Sequence, residues 1–182
     1  LLDYFHNTWA LTETLFSALT SEEAYFVRPY HKTRHPLIFY YVHPVSFYVN
    51  KMIVAGLIDE PVNPRFEALF ETGVDEMTWD DLHDGEQDVW PSLAEAKAYR
   101  EQVYELVTEV IRNHPALDDD INMDSPGWAL AMCCEHERIH LETSSVLMRE
   151  LPLEYLRAPV QWPALPMQAE REECASDPVP GV

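Results

Sequence analysis

The sequence predicts an all-α protein, an up-and-down four-helix bundle with a long loop between helices two and three. Four long segments repeat apolar residues at helical spacing. Glycine is scarce, only 5 of 182 residues, so little of the chain is built for tight turns. The punctuation that does occur (Pro36, Ser92 with Glu95, Asn113-His114-Pro115, Ser125-Pro126) falls at the ends of those segments. A chain of this length suits one domain with a full core.

The first helix is expected over about residues 3–19, with Phe5, Trp9, Phe16 and Leu19 as its apolar stripe. A basic loop, VRPYHKTRH, follows. The second helix is expected from Pro36, a favoured first-turn residue, to about position 57, just past Gly56. Residues 58–91 show no period, are acidic, and hold a short helix over about 65–70; compact domains rarely carry so long a connection without a role for it. The third helix opens at Ser92-Leu-Ala-Glu95, a capping box, and buries Val103, Leu106, Val107, Val110 and Ile111. The fourth begins at Asp124-Ser125-Pro126 and ends before Pro152. The bundle is taken as 1–162, and 163–182 as a Pro-rich linker or tail towards a further domain. With no initiator Met and this proline-rich end, the chain is expected to be a piece of a longer protein.

The formal net charge of −20 excludes nucleic acid and anionic membrane surfaces as partners, because both need a basic face. The start, LLDYFHNTWA, lacks the basic and apolar regions of a signal peptide. The longest apolar run, near residues 37–42, is far too short to span a bilayer. Three cysteines, two of them adjacent at Cys133 and Cys134, make no disulfide framework, so a cytoplasmic location is expected.

The chemistry concentrates in EHERIHLETSS, from Glu135 onward. At about 100° per residue, His140 lies some 40° from His136 and one turn along, so both imidazoles can face one ion. Leu147 and Ala129 continue that face, which therefore points inward. Glu142 falls near −120° on the same wheel, off the metal face, where a supporting polar role fits better than ligation. Two ligands hold a metal poorly, so a third must come from another helix. His43 is the best candidate: it lies midway along helix two among Phe39, Tyr40, Phe47 and Asn50, and Pro44 beside it frees the Tyr40 carbonyl. His35, in the entry turn, is the second choice. Cys133, near +60°, reads as packing or as a fourth ligand. The string also matches HExxH literally, which gives a second reading with Glu137 as the general base of a hydrolase. His83 and His114 are expected on the surface.

The strings FVRPYHKTRHPLIFYYVHPVSFYVNK, FETGVDEMTWDD and EHERIHLETSSVLMRELP resemble the N-terminal domain of the ovothiol-pathway 5-histidylcysteine sulfoxide synthases, from about Tyr4 to Trp162. The resemblance implies a DinB-like four-helix bundle. It maps the family's H-x3-H-x-E motif onto His136, His140 and Glu142, and its third histidine onto His43. It implies a non-haem Fe(II) enzyme that uses O2 to join the sulfur of L-cysteine to the imidazole of L-histidine and to oxidise that sulfur. Three neutral imidazoles leave the ion about three open positions for thiolate, imidazole and O2. The related ergothioneine-pathway enzymes usually carry Gln just before the second motif histidine; Ile139 stands there here, which favours the ovothiol branch. In that family a domain resembling formylglycine-generating enzymes completes the active site and supplies a tyrosine. The expected metal ligands are thus His43, His136 and His140, with Glu142, Tyr40 and Asn50 supporting them. Two rival readings stand: a zinc- or nickel-dependent thiol transferase or hydrolase on the same bundle, and a non-catalytic docking bundle.

Overall fold

The structure is a computed structural model that describes residues 1–31, 34–71, 90–159 and 161. Residues 72–81 of the FETGVDEMTWDD motif, His83 and the 163–182 tail lie outside the described residues. The described residues form α1 (Leu2–Phe16), α2 (Leu37–Val54), α3 (Pro64–Phe70), α4 (Leu93–Asn113) and α5 (Pro126–Met148), with short 3₁₀ turns between some of them. The fold is all-helical, as the periodicity predicts. Four long helices make the bundle; the short α3 packs against α2.

The helix ends show which local signals acted. Ser92 and Glu95 close the full capping box at the start of α4, each side chain satisfying a backbone N–H of the other residue. Asn63 caps α3 by accepting from the Phe66 amide, and Pro64 takes the first turn. Pro36 is the residue before α2 rather than its first turn, with ψ 161°. The Ser125 hydroxyl donates to the Asn122 carbonyl at 2.8 Å and so braces the preceding loop instead of capping α5. α2 stops three residues earlier than expected because Gly56 turns left-handed (φ 68°). Its amide and that of Leu57 close back on the Ile53 and Met52 carbonyls, which ends the helix. α1 ends at Phe16, not Leu19; Leu19 pairs instead with Leu156, and the Thr20 amide donates to the Tyr155 carbonyl.

The side-chain pairs reveal the helix directions. Phe5 meets Tyr48 and Phe16 meets Tyr41, so α1 and α2 are antiparallel. His6 meets Thr108 and Glu13 meets Arg100, so α1 and α4 are antiparallel too. Thr8 meets Arg138 while Phe16 lies beside Ser144, so α5 runs parallel to α1. The strict alternation of an up-and-down bundle therefore fails at one junction: α2 and α4 run the same way. A connection between two parallel helices must travel back the length of the bundle. That requirement gives a structural reason for the long segment between them.

The core lies where α1, α2, α4 and α5 meet, with Phe5, Ile38, Tyr48, Val49, Met52, Val103, Val107 and Leu130 all at 1% exposure or less. α2 is buried around nearly its whole circumference, which makes it the central helix. It is therefore the element best placed to carry a ligand that must be held rigidly against α5.

Candidate metal centre

α2 and α5 make the most extensive helix–helix contact of the bundle, and at mid-seam they bring His43, His136 and His140 together. The His136 and His140 Nε2 atoms are 3.1 Å apart, and those of His43 and His136 are 3.3 Å apart. For metal–nitrogen bonds of about 2.1 Å meeting at tetrahedral to octahedral angles, neighbouring nitrogens stand about 3.0–3.4 Å apart. The donor spacing fits one ion.

The orientation of His43 is set from outside the trio. Its Nδ1 lies 2.6 Å from the Phe70 carbonyl, which can only accept, so Nδ1 carries the proton and Nε2 offers a bare lone pair. Phe39 stacks on the His43 ring at 5.0 Å and Phe47 on the His136 ring at 4.0 Å. The Nδ1 atoms of His136 and His140 are buried and make no hydrogen bond among the described residues. Both rings are thus held by packing and by what meets their Nε2 atoms.

Electrostatics keeps all three imidazoles neutral, the form that ligates. Burial pushes the His43 pKa down. Burial, then the neighbouring charges of His43 and Lys51, bring His136 to about 4. Burial, then His43 and His136, bring His140 to about 3. In the unfolded chain these histidines take protons near pH 6.5. Below that pH the unfolded state binds more protons than the folded one, so stability falls as pH drops from about 6.5 towards 4. The thermal midpoint of the metal-free chain should fall across that window. A His136→Gln, His140→Gln double variant should show a visibly shallower fall in the same scan, and equal slopes would contradict these depressed values.

The other sequence-predicted residues are placed as follows. His35 stands outside the trio; its ring packs at a tilt against Phe39 at 4.4 Å and meets Trp90 edge-on at 5.6 Å. Tyr40 is buried with its ring 6.0 Å from that of His140. Asn50 lies two turns further along α2 and makes no hydrogen bond to the three histidines. Glu142 is exposed and outside the donor group. Glu142→Ala should therefore leave metal affinity within about threefold of the parent in a competition titration with a chromogenic chelator. A loss on the scale of a missing ligand, tenfold or more, would bring Glu142 back into the coordination sphere.

Cys133 is fully buried, its Sγ 4.0 Å from the Phe47 carbonyl, and burial raises its pKa. It packs the seam and is not among the converging donors. Glu137 is likewise fully buried. Its carboxylate accepts from the Thr12 hydroxyl at 2.7 Å and the Tyr48 hydroxyl at 3.0 Å, on the α1 side of the core. A general base must reach a proton beside the metal. Both oxygens of Glu137 are engaged elsewhere, so the HExxH string folds into two of the three converging histidines and a core carboxylate that is not placed as a general base beside them.

Two supports of the site escaped sequence reasoning. The Phe70 carbonyl comes from the end of α3, within the connection that has no period. The Phe47 stack was legible in principle, since Phe47 follows His43 by one helical turn.

Three imidazoles on a partly accessible seam suit zinc, copper, iron or nickel and leave positions open for other ligands. Among the described residues no helix is long and apolar enough to cross a membrane. No curated protein matches the chain. A family model described as the DinB superfamily matches residues 4–144, which takes in all five helices apart from the first two residues of α1 and the last turn of α5, and includes every histidine of the trio. By that match over most of its length, and by its helical bundle, the chain belongs to the DinB superfamily.

Proposed function

We propose that this chain is the iron-binding domain of a non-haem Fe(II), O2-dependent sulfoxide synthase that joins the sulfur of L-cysteine to the imidazole of L-histidine. The observation that carries the reading is the convergence of His43, His136 and His140 with their Nε2 atoms at bonding separation for one ion. The motif strings around those residues and Ile139 before His140 favour this branch over other metal chemistries. Bound there, a ferrous ion supplies about three open positions to thiolate, imidazole and dioxygen. The overall change balances: cysteine S–H and histidine C–H give a C–S bond and a sulfoxide, and O2 takes up four electrons, leaving one oxygen on sulfur and one in water.

The chain's own residues hold and orient. The Phe70 carbonyl fixes the tautomer of His43, and Phe39 and Phe47 fix the ring planes. α5 also carries an exposed apolar stripe, Trp128, Met132, Ile139 and Val146. On the helical wheel these lie at about −40° to −80° from His136, directly beside the metal face. An apolar stripe of this kind marks an interaction surface. It supports a second domain, of the formylglycine-generating-enzyme type, closing over the site.

The test is metal analysis of the chain after anaerobic loading with Fe(II), Zn(II) or Ni(II), followed by mass spectrometry for the cysteine–histidine sulfoxide when the second domain, L-cysteine, L-histidine and O2 are supplied. One Fe(II) per chain and the sulfoxide product are expected. Tight uptake of zinc or nickel alone would transfer the reading to a thiol transferase or hydrolase. Uptake of no metal would leave a docking bundle.

A further inference from the structure

Lys51 is the only Lys or Arg on α2, and α2 carries no Asp or Glu. Among the described residues its ammonium makes no ion pair and no hydrogen bond. In a chain with 32 acidic residues against 12 basic ones, a cation kept apart from acids calls for a reason. One reason is local: a lysine in the last turn of a helix favours the negative end of its dipole. The position of the ammonium supplies another. Lys51 is half-buried, and its Nζ lies over the Phe47 ring, 4.9 Å from the ring centre and one turn back towards His43. The same ring stacks on His136 at 4.0 Å. Phe47 is thus a shared platform, and the ammonium stands within about 9 Å of the His136 ring centre, a range over which salt screens partly buried charges little.

The charge is felt across the seam, with the sign expected of a cation. Burial and then His43 lower the His136 pKa, and Lys51 lowers it further. Burial and then Cys134 raise the Cys133 pKa, and Lys51 opposes them. A positive imidazole is disfavoured on one side chain and a negative sulfur is favoured on the other. Lys51 and the trio therefore share one electrostatic environment, although Lys51 is not among the converging donors.

We propose that Lys51 sets the ligand preference of the histidine centre: it favours anionic ligands, such as a thiolate or a carboxylate, over neutral ones at the positions the three imidazoles leave open. Neutral imidazoles do not offset the charge of a divalent ion. An anion that enters beside the ion meets a second positive charge at Lys51, whereas a neutral ligand gains nothing from it. At this range and an effective dielectric near 20 the attraction is worth about fivefold to twentyfold in affinity. The same charge opposes the incoming metal ion. The two effects carry opposite signs, which separates this role from one of packing alone. The proposal rests on the metal centre of the reading above and not on its sulfoxide chemistry.

Absorption titration of the Co(II)-loaded chain tests this, because Co(II) takes imidazole ligands and reports changes in its coordination through its visible bands. Azide is the anionic probe and imidazole the neutral one. Lys51→Met keeps an unbranched, helix-forming side chain over Phe47 and removes the charge; Lys51→Arg keeps the charge. Azide is expected to bind Lys51→Met about fivefold more weakly than the parent or worse, and imidazole to bind the two within about twofold of each other. Lys51→Arg should bind azide within about twofold of the parent, since its charge is retained. Lys51→Met should take up Co(II) at least as tightly as the parent, because a repelling charge has gone. Added salt should narrow the azide difference between the parent and Lys51→Met. Equal azide constants in the parent and Lys51→Met would overturn the proposal and leave the metal centre standing. Equal weakening of azide and imidazole would also overturn it, by making Lys51 a packing residue. If the parent takes up no Co(II), the metal centre and this proposal fall together.

Discussion

Fe(II) present at a hundred times its dissociation constant should stabilise the parent chain by about 2.7 kcal/mol and leave His43→Ala unmoved. The figure follows from linkage, since an ion that binds only the folded trio shifts unfolding by RT ln(1 + [L]/Kd). For a chain of this size each kcal/mol moves the thermal midpoint by about 2–4 °C, so a rise of about 5–11 °C is expected under anaerobic conditions. His43 is the candidate ligand to remove because it comes from α2, whereas His136 and His140 both sit on α5. Its Nδ1–H is committed to the Phe70 carbonyl, so its Nε2 is presented ready-made and little ordering is left to the ion. The readout is the metal-dependent shift within each protein, so any stability lost by the substitution itself cancels. His35→Ala should keep the shift, because that ring packs against Phe39 and Trp90 outside the donor group. A shift retained in His43→Ala and lost in His35→Ala would overturn the third ligand.

The place of His43 in the converging trio was reachable from the sequence because two one-dimensional rules meet on it. The i, i+4 spacing sets His136 and His140 on one stripe, and the aromatic face of the second helix leaves His43 as the polar residue aimed into it. Glu142 was placed off the metal face by the same wheel. What the wheel does not carry is depth. Glu137 sits between the two ligand histidines in the string, and nothing in HERIH says whether its carboxylate meets solvent, metal or core. Thr12 and Tyr48 decide that, from helices more than 85 residues away in sequence. The parallel run of α2 and α4 escaped for a related reason: hydrophobic period marks a helix and its buried face but not its direction. The long connection was the available signal, since parallel neighbours need one, and it reads as a functional loop when only its composition is considered.

Arg100→Ala should be the most destabilising single substitution away from the histidines, by about 3 kcal/mol, from the loss of cation–π stacking on two rings and of charge-assisted hydrogen bonds. Arg100 occupies the core stripe of α4 in line with Ala96, Val103 and Val107, where a charged residue looks misplaced by pattern alone. The structure shows what retains it. Its guanidinium is 2% exposed, lies 4.3 Å from the Trp9 ring centre and 4.2 Å from that of Tyr41, and donates through Nη2 to Glu13 at 2.7 Å. Nη1 donates to the Tyr41 carbonyl, a backbone acceptor in α2. One side chain thereby ties α1, α2 and α4. Glu13 is 45% exposed and can turn to water when the arginine goes, so its half of the pair counts for little. The cost lies in the lost stacking and hydrogen bonds and in Glu137, whose burial already raises its pKa and which Arg100 opposes by its charge. Glu13→Gln should consequently cost about 1 kcal/mol or less, and Arg100→Lys should fall between, keeping the charge but losing the fork. Urea denaturation of the metal-free proteins measures all three. The Fe(II)-dependent shift should survive in Arg100→Ala at temperatures where it remains folded, because no atom of the arginine touches the trio. A loss within about 1 kcal/mol for Arg100→Ala would mean that the tie between the three helices is made by their apolar packing and not by this cation.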